Sequence, residues 1–161
     1  MTHTSVSAGR RADFEAVYRQ HGERVWRAVM AYAGDAAVAD DAVAEAFVQG
    51  LCSRSSIRYP ERWVWRAAFR IAAGMLKERG RFAPPVSASA VHDAEPEWEL
   101  IVALAELPVR QRACVVLRYY GGYSAIEIAR MVGSTPLAVR QQLSRSRKRL
   151  RMLLEEGTND D

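Results

Sequence analysis

Residues 119–151 of the chain read YYGGYSAIEIARMVGSTPLAVRQQLSRSRKRLR, and this stretch decides how the second half of the chain folds. It has the pattern of a short helix, a turn around Gly133 and a longer second helix, which is the arrangement of a helix-turn-helix. Ser124, with Glu127 three residues later, predicts a capping box at the start of the first helix, and the dipeptide Thr135-Pro136 predicts the start of the second. Because a helix-turn-helix places its second helix in the DNA major groove, the stretch predicts a DNA-binding element.

The second helix of this motif has two different faces. Its apolar positions recur at helical spacing and predict a buried seam. The residues of this seam are Val139, Leu143, Ser146 and Leu150. Between Gly133 and Arg151 the chain has six basic residues and no acidic one, which suits a phosphate backbone. A solvated basic face without a partner is the alternative for a run of arginines alone.

The opposite face carries the side chains that can read DNA. Arginine and glutamine can each bond a base edge through two hydrogen bonds. Residues near the start of such a helix reach bases, and later ones contact phosphates. We therefore assign base reading to Arg140 and Gln141 first. The candidate DNA-binding residues on this helix are Arg140, Gln141, Ser144, Arg145 and Lys148, and Arg147 and Arg149 are further candidates for phosphate contact.

Composition and motifs exclude several classes of protein. The chain has 161 residues, 49% of them hydrophobic, with apolar positions at helical spacing, which indicates an all-α fold. Cys52 and Cys114 lie far apart, and there is no secretory leader or apolar run long enough for a bilayer, so we expect a cytoplasmic protein without membrane insertion. The three histidines are scattered and no nucleotide-binding or metal-binding motif occurs. The sequence therefore predicts no catalytic residues, no metal and no cofactor.

The chain is divided by a segment with the composition of a linker. Residues 80–96 read GRFAPPVSASAVHDAEP, in which the two prolines and the serine-alanine alternation give no core pattern. Three helices are predicted before it, at about 12–33, 36–49 and 60–79, with a polar loop from Gly50 to Pro60. Four are predicted after it, at about 97–106, 109–119, 124–131 and 136–154. The expectation is an all-α protein of two small helical domains, 10–80 and 97–155, joined by a flexible linker at 81–96.

An acidic block lies beside a basic block in the first predicted domain. Between Arg27 and Arg54 there are four acidic residues and no lysine or arginine. Residues 54–81, in contrast, carry eight basic residues and two acidic ones. Neighbouring blocks of opposite sign indicate two different partners. The acidic residues either meet a basic or polar protein partner or are simply solvated.

The third predicted helix combines arginines with aromatic residues. Arg62, Arg66 and Arg70 recur every four residues and form one basic stripe. Three aromatic residues lie close to it in sequence: Trp63, Trp65 and Phe69. Cations beside aromatic rings suit single-stranded nucleic acid, because the charges follow the backbone and the rings stack on unpaired bases. Packing in the core is the alternative for each aromatic side chain.

With these parts in order, the chain resembles a bacterial RNA polymerase sigma factor of the extracytoplasmic-function group over about residues 12–152. The stretch LPVRQRACVVLRYYGGYSAIEIARMVGSTPLAVRQQLSRSRKRLR is similar to the region 4 pattern of that family at the same spacings. DFEAVYRQHGERVWRAV, ADDAVAEAF and RWVWRAAFRIAAGMLKERGR resemble three segments of region 2. The chain departs from the family pattern at Ala44, Arg70 and Gly74.

The resemblance implies a promoter-specificity subunit that is not an enzyme. Its implied partners are core RNA polymerase, through the β′ clamp and the β flap, and promoter DNA, with an anti-sigma factor as a candidate inhibitor. The residues implied to bind polymerase are Asp40, Asp41, Glu45 and Phe47. Those implied to recognise and melt the minus-10 element are Arg54, Arg58, Arg62, Trp63, Arg66 and Arg70. The helix-turn-helix face described above is implied to read the minus-35 element.

Two other classes of function remain open from the sequence. A helix-turn-helix transcriptional regulator that never opens DNA would need neither the helix with tryptophan and arginine nor the acidic segment. An α-helical enzyme would need a clustered polar site, which the sequence lacks.

Overall fold

A computed structural model of the chain describes residues 3–53, 56–80 and 96–158, with side chains for 13–53, 56–80 and 100–156. Within these ranges the chain is helical and contains no strand, which confirms the predicted all-α fold. The chain divides into two compact units, Met1–Phe82 and Ala83–Asp161. The division falls within the predicted linker, of which residues 81–95 lie outside the described part.

The described residues of unit 1 form a bundle of three helices in which each helix packs against the other two. They are α1 (His3–Ala33), α2 (Ala36–Ser53) and α3 (Pro60–Arg79). The predicted boundary between α1 and α2 is confirmed, because Asp35 Oδ1 accepts a hydrogen bond from the Val38 N–H at 3.1 Å and so caps α2. α1 begins well before the predicted start at Ala12. No proline precedes Pro60, and serine and threonine disfavour a helix only weakly.

The core of unit 1 combines small residues with a few large rings. Alanines from α2 and α3 let the helices approach closely; they are Ala39, Ala42, Ala46, Ala67, Ala68 and Ala72. The Tyr32 and Phe69 rings stack with centroids 5.1 Å apart, and Phe69 in turn stacks on Trp65 at 6.2 Å. Trp65 and Phe69 are 1% and 4% exposed. For these two aromatic residues the core interpretation is therefore the right one.

α2 continues past its predicted end. The sequence predicted a loop from Gly50, but the helix runs to Ser53 and Gly50 is buried inside it. A Cβ at Gly50 would lie 2.9 Å from Cζ of Phe14 and 3.1 Å from Cζ3 of Trp63. The residue is therefore glycine because three helices meet there, and not because the helix stops.

The described part of unit 2 contains four α-helices and one π-helical turn, with α7 in contact with the other three α-helices. They are α4 (Pro96–Ala105), α5 (Val109–Val115), the π-helical turn Val116–Tyr120, α6 (Ala125–Val132) and α7 (Pro136–Thr158). In the core, Leu117, Ile128 and Cys114 are buried. Burial raises the pKa of the Cys114 thiol, because the surroundings cannot solvate a thiolate.

The helix predicted at 109–119 changes its winding in its last turn. The Gly121 N–H donates to the Val116 carbonyl oxygen at 3.0 Å, a bond that spans five residues instead of four. The wider turn keeps Leu117 buried and leaves Tyr119 and Tyr120 exposed on the surface of unit 2.

Candidate functional site

Local hydrogen bonds fix the ends of the two helices of the predicted helix-turn-helix. Ser124 Oγ accepts from the Glu127 N–H at 3.2 Å, and Glu127 Oε2 accepts from the Ser124 N–H at 2.9 Å, so the predicted capping box is confirmed. Gly133 closes α6 in the left-handed region, with φ of 67°. Thr135 Oγ1 accepts from the Ala138 N–H at 3.1 Å and caps α7. Both helices and the turn therefore lie where the sequence predicted them.

The buried seam of α7 is also confirmed. Val139 and Leu143 are buried and Leu150 is half-buried. Ser146 is fully buried, and its hydroxyl donates to the Gln142 carbonyl oxygen at 2.6 Å. That bond satisfies the one polar side chain of the seam, so the whole face can pack against the rest of unit 2.

The opposite face of α7 is open to solvent. Each candidate DNA-binding residue of this helix is exposed: Arg140, Gln141, Ser144, Arg145 and Lys148. Arg147 lies at the edge of this face, where its Nη1 donates to the Tyr119 hydroxyl at 3.0 Å. Tyr119, in the π-helical turn, therefore holds Arg147 in place beside the five exposed residues. We call these five exposed residues the reading face of α7; its contact with DNA stays a prediction.

The carboxylates of α2 form a second exposed surface, on unit 1. Asp40, Asp41 and Glu45 are exposed, and we call them the acidic face of α2. Phe47 was predicted with them but is 7% exposed, and its ring meets the edge of the Tyr18 ring with centroids 5.0 Å apart. Phe47 therefore supports this face from inside the bundle and does not itself offer a contact surface.

A tryptophan orients one of these carboxylates. The Trp26 indole N–H donates to Asp40 Oδ1 at 2.7 Å, from α1 to α2. Sequence reasoning missed Trp26, because the two residues are 14 positions apart and lie on different helices.

The arginines of α3 form a third exposed surface. Arg62, Arg66 and Arg70 are all exposed, and we call them the basic stripe of α3. Trp63 is half-buried beside the stripe and meets Phe14 edge to face, with ring centroids 6.4 Å apart and planes at 83°. Trp63 is therefore held by the core while part of it stays open to solvent, in contrast to Trp65.

Gln49 connects the acidic face to the basic stripe. Its amide nitrogen donates to Glu45 Oε1 at 2.8 Å, and its amide oxygen accepts from Arg70 Nη2 at 3.4 Å. Sequence reasoning missed Gln49, although it lies one helical turn after Glu45 and hence on the same side of α2. The two oppositely charged surfaces are therefore neighbours within unit 1.

The loop between α2 and α3 carries a cation beside a ring. The Arg58 guanidinium carbon lies 5.3 Å from the centroid of the Tyr59 ring, which is a cation–π contact. Both residues are exposed, and Tyr59 was not among the predicted site residues. An aromatic residue between an arginine and a helix-starting proline was the signal available in the sequence. Arg54, predicted in the same loop, lies outside the described residues.

The part of the chain that the structure describes contains neither a candidate metal cluster nor a candidate membrane span. No three histidine, cysteine or acidic side chains there lie close enough to hold a metal ion. None of the helices in that part of the chain combines the length and apolar character needed to cross a membrane.

Comparison with known proteins gives matches over both units. A family model described as Sigma-70, region 4 matches residues 97–150. The ECF RNA polymerase sigma factor SigM of Mycobacterium tuberculosis is 30% identical over 156 residues, covering 91% of this chain and 80% of that protein. SigL of the same species, also named an ECF RNA polymerase sigma factor, is 27% identical over 168 residues, covering 95% of each.

Solved structures share the fold. The sigma factor RpoE of Bartonella quintana, in complex with the anti-sigma factor NepR, matches with a TM-score of 0.76 and 19% identity, over 89% of this chain and 97% of that one. CnrH, in complex with the cytosolic domain of CnrY, matches with a TM-score of 0.71 and 22% identity, over 94% of each chain.

Proposed function

This chain belongs to the extracytoplasmic-function family of RNA polymerase sigma factors, and we propose that its two units divide promoter recognition between them. It is a promoter-specificity subunit, which binds core polymerase and starts transcription at minus-35 and minus-10 elements. Unit 2 holds the minus-35 duplex, and unit 1 binds polymerase and opens the minus-10 element. Bond formation belongs to the polymerase, so we propose that the chain is not itself an enzyme.

Duplex binding by unit 2 rests on the two faces of α7. The buried seam fixes the helix against the unit, so the reading face points away from it. Arg140 and Gln141, in the second turn of the helix, offer donors to base edges. Lys148 lies further along and meets phosphates. Unit 2 is also the part that we propose to meet the polymerase β flap.

Polymerase binding by unit 1 rests on the acidic face of α2. Three exposed carboxylates on one helix attract a basic partner and repel DNA, so this face suits a protein and not a promoter. We assign it to the β′ clamp. Asp40 is held in one orientation by Trp26, which reduces the side-chain entropy lost when a partner binds.

Strand opening rests on the basic stripe of α3 and the loop before it. The stripe offers three guanidinium groups to a DNA backbone, and Trp63 offers part of a ring beside them. Arg58 and Tyr59 present a second cation with a ring at the start of α3. Stacking of an unpaired base on an exposed ring contributes about 1–3 kcal/mol, which helps to offset the cost of unpairing.

The observation that carries the proposal is the separation of charge within unit 1. A helix-turn-helix alone would serve a transcriptional regulator equally well. A regulator, however, has no use for an acidic face and a basic stripe that meet at one glutamine. A subunit that joins polymerase to melting DNA needs both surfaces on one small unit.

We also propose a location and a regulator. The chain would act in the cytoplasm, where polymerase and promoters are found. An anti-sigma factor would hold it inactive; the sigma factor RpoE of Bartonella quintana forms a complex with the anti-sigma factor NepR.

Run-off transcription tests the function. Core RNA polymerase from the host bacterium is mixed with the full chain and fragments of the host genome, and the 5′ ends of the transcripts are sequenced. A sigma factor yields transcripts that depend on the chain and share minus-35 and minus-10 elements. A regulator yields none without another sigma factor, and that result would overturn the proposal.

A pair of charge reversals tests the assignment of the acidic face. Asp41→Lys should abolish transcription while the chain still binds the minus-35 duplex. Glu15→Lys makes the same charge change at an exposed position of α1 and should leave transcription intact. If the two variants had equal effects on transcription, the acidic face would not be part of the polymerase interface.

A further inference from the structure

We infer that Leu137 is a specificity-determining residue that reads the C5-methyl group of a thymine in the minus-35 element. The inference rests on the proposed function, because it takes the reading face of α7 as the surface that enters the major groove. It adds an apolar contact to a face for which only polar contacts were predicted.

Leu137 is unusually open for a leucine. It is the second residue of α7 and is 63% exposed, the largest fraction among the large apolar side chains of the described residues. Single exposed leucines are ordinary on protein surfaces. What distinguishes Leu137 is its position on the solvent-exposed side of α7. Val139, two residues later, lies on the buried side and is only 1% exposed.

The register of α7 places Leu137 on the reading face. Ser144 and Lys148 follow it by seven and eleven positions, which brings them to the same side of a helix with 3.6 residues per turn. Gln141 follows it by four positions and is its neighbour on the surface. The buried seam lies on the opposite side. Leu137 thus extends the reading face by one turn toward the start of the helix, as its one apolar member.

The start of a recognition helix is the part that comes nearest to the bases. A leucine offers no hydrogen bond there, so it can discriminate only by apolar contact. In the major groove the apolar feature of the base pairs is the thymine methyl group. The natural complement of Leu137 on duplex DNA is therefore a thymine.

A protein partner is the other occupant that an exposed leucine could have. The surface around Leu137 argues for DNA, because no acidic residue lies between Gly133 and Arg151 while six basic residues do. Such a surface complements phosphates. DNA bound by Arg140 and Gln141 would also bring its base edges to the first turn of the same helix.

Deoxyuridine substitution tests the inference. Holoenzyme is assembled from core polymerase and the full chain. The probe is the DNA duplex of a promoter at which this holoenzyme starts transcription. Each thymine of the minus-35 element is replaced in turn by deoxyuridine, which lacks only the methyl group. Burial of one methyl group corresponds to about a fourfold change in Kd. For the wild type, we expect Kd to rise about fourfold when one particular thymine is replaced. For Leu137→Ala, replacement of the same thymine should leave Kd unchanged.

Met152→Ala is the matched control. Met152 is 52% exposed, on the same helix but four turns later, so this variant should keep the fourfold loss. The inference is overturned if no thymine is sensitive in the wild type, if the minus-35 element has no thymine, or if Leu137→Ala shows the same loss. Those are the results expected for a leucine that serves a protein partner. A holoenzyme that starts no transcript would instead contradict the proposed function itself.

Discussion

Two glycines inside helices of unit 1 have opposite surroundings. Gly50 in α2 is buried where Phe14 and Trp63 come together, and a Cβ there would overlap the Phe14 ring. Gly74 in α3 is exposed, and apart from the adjoining backbone of its own helix no atom of the described residues lies within 4 Å of the position that its Cβ would occupy. The same residue type is therefore required at one position and merely tolerated at the other.

Alanine at these two positions should change stability in opposite directions. Gly50→Ala should destabilise unit 1 by about 1–3 kcal/mol, because the added methyl group overpacks the junction of the three helices. Gly74→Ala should stabilise it by about 0.5–1 kcal/mol, because alanine favours a helix more than glycine does. Chemical denaturation of the full chain, followed by tryptophan fluorescence, measures both changes. Shifts of the same sign would contradict the packing around Gly50.

Two arginines of α7 should affect DNA binding in different ways. Arg140→Ala should cost about 1–3 kcal/mol and relax specificity at one base pair, because it removes a base contact. Arg149→Ala should weaken binding to all sequences alike and reduce the salt dependence by about one counterion, because it removes a phosphate contact. Fluorescence anisotropy of holoenzyme on promoter duplexes at several salt concentrations separates the two. If Arg140→Ala binds every promoter as the wild type does, the register of the reading face is wrong.

Residue positions could be predicted where one helix determines them. The seam of Val139 and Leu143, and the pairing of Ser124 with Glu127, follow from spacing within a few turns. The bonds of Trp26 to Asp40 and of Arg70 to Gln49 join residues 14 and 21 positions apart. Such pairs depend on how separate helices pack against each other. The periodicity of residues within one helix carries no information about that packing.

At the scale of elements, the helix-turn-helix owes its geometry to bonds at the ends of its helices. α6 has only eight residues, too few for a stable isolated helix, so it depends on its cap and on packing against α7. The capping box satisfies two backbone N–H groups at the start of α6 at once.

Removal of this cap should loosen the element. Ser124→Ala should destabilise unit 2 by about 1 kcal/mol and increase hydrogen exchange at the Glu127 amide, which loses its acceptor. Ser134→Ala is the control: Ser134 is exposed in the turn, and its backbone N–H keeps its bond to the Ala129 carbonyl oxygen. Hydrogen-exchange protection across α6 measures the difference. Equal protection in the two variants would show that packing alone holds α6.

The ends of helices were harder to predict than their existence. α1 begins at His3 and α2 reaches Ser53, both beyond the predicted limits. Glycine in a sequence indicates a helix end or a close contact equally well, and the choice at Gly50 depends on residues from two other helices. The π-helical turn after α5 was missed because a search at 3.6 residues per turn does not detect one wider turn.

At the scale of the whole molecule, the chain consists of two units with different surfaces. Unit 2 carries the reading face of α7, whose charge is uniformly positive. Unit 1 carries the acidic face of α2 and the basic stripe of α3, joined through Gln49. The order and charge of these surfaces could be predicted from the sequence, and the family relationship accounts for their combination in one chain.

In the proposed function, unit 2 holds duplex DNA while unit 1 opens it. Permanganate reactivity of thymines in the minus-10 element, measured on promoter-bound holoenzyme, reports whether the strands have opened. Simultaneous alanine substitution of Arg62, Arg66 and Arg70 should abolish the reactivity and leave the minus-35 footprint in place. Reactivity equal to that of the wild type, or loss of the minus-35 footprint together with opening, would contradict the division of roles.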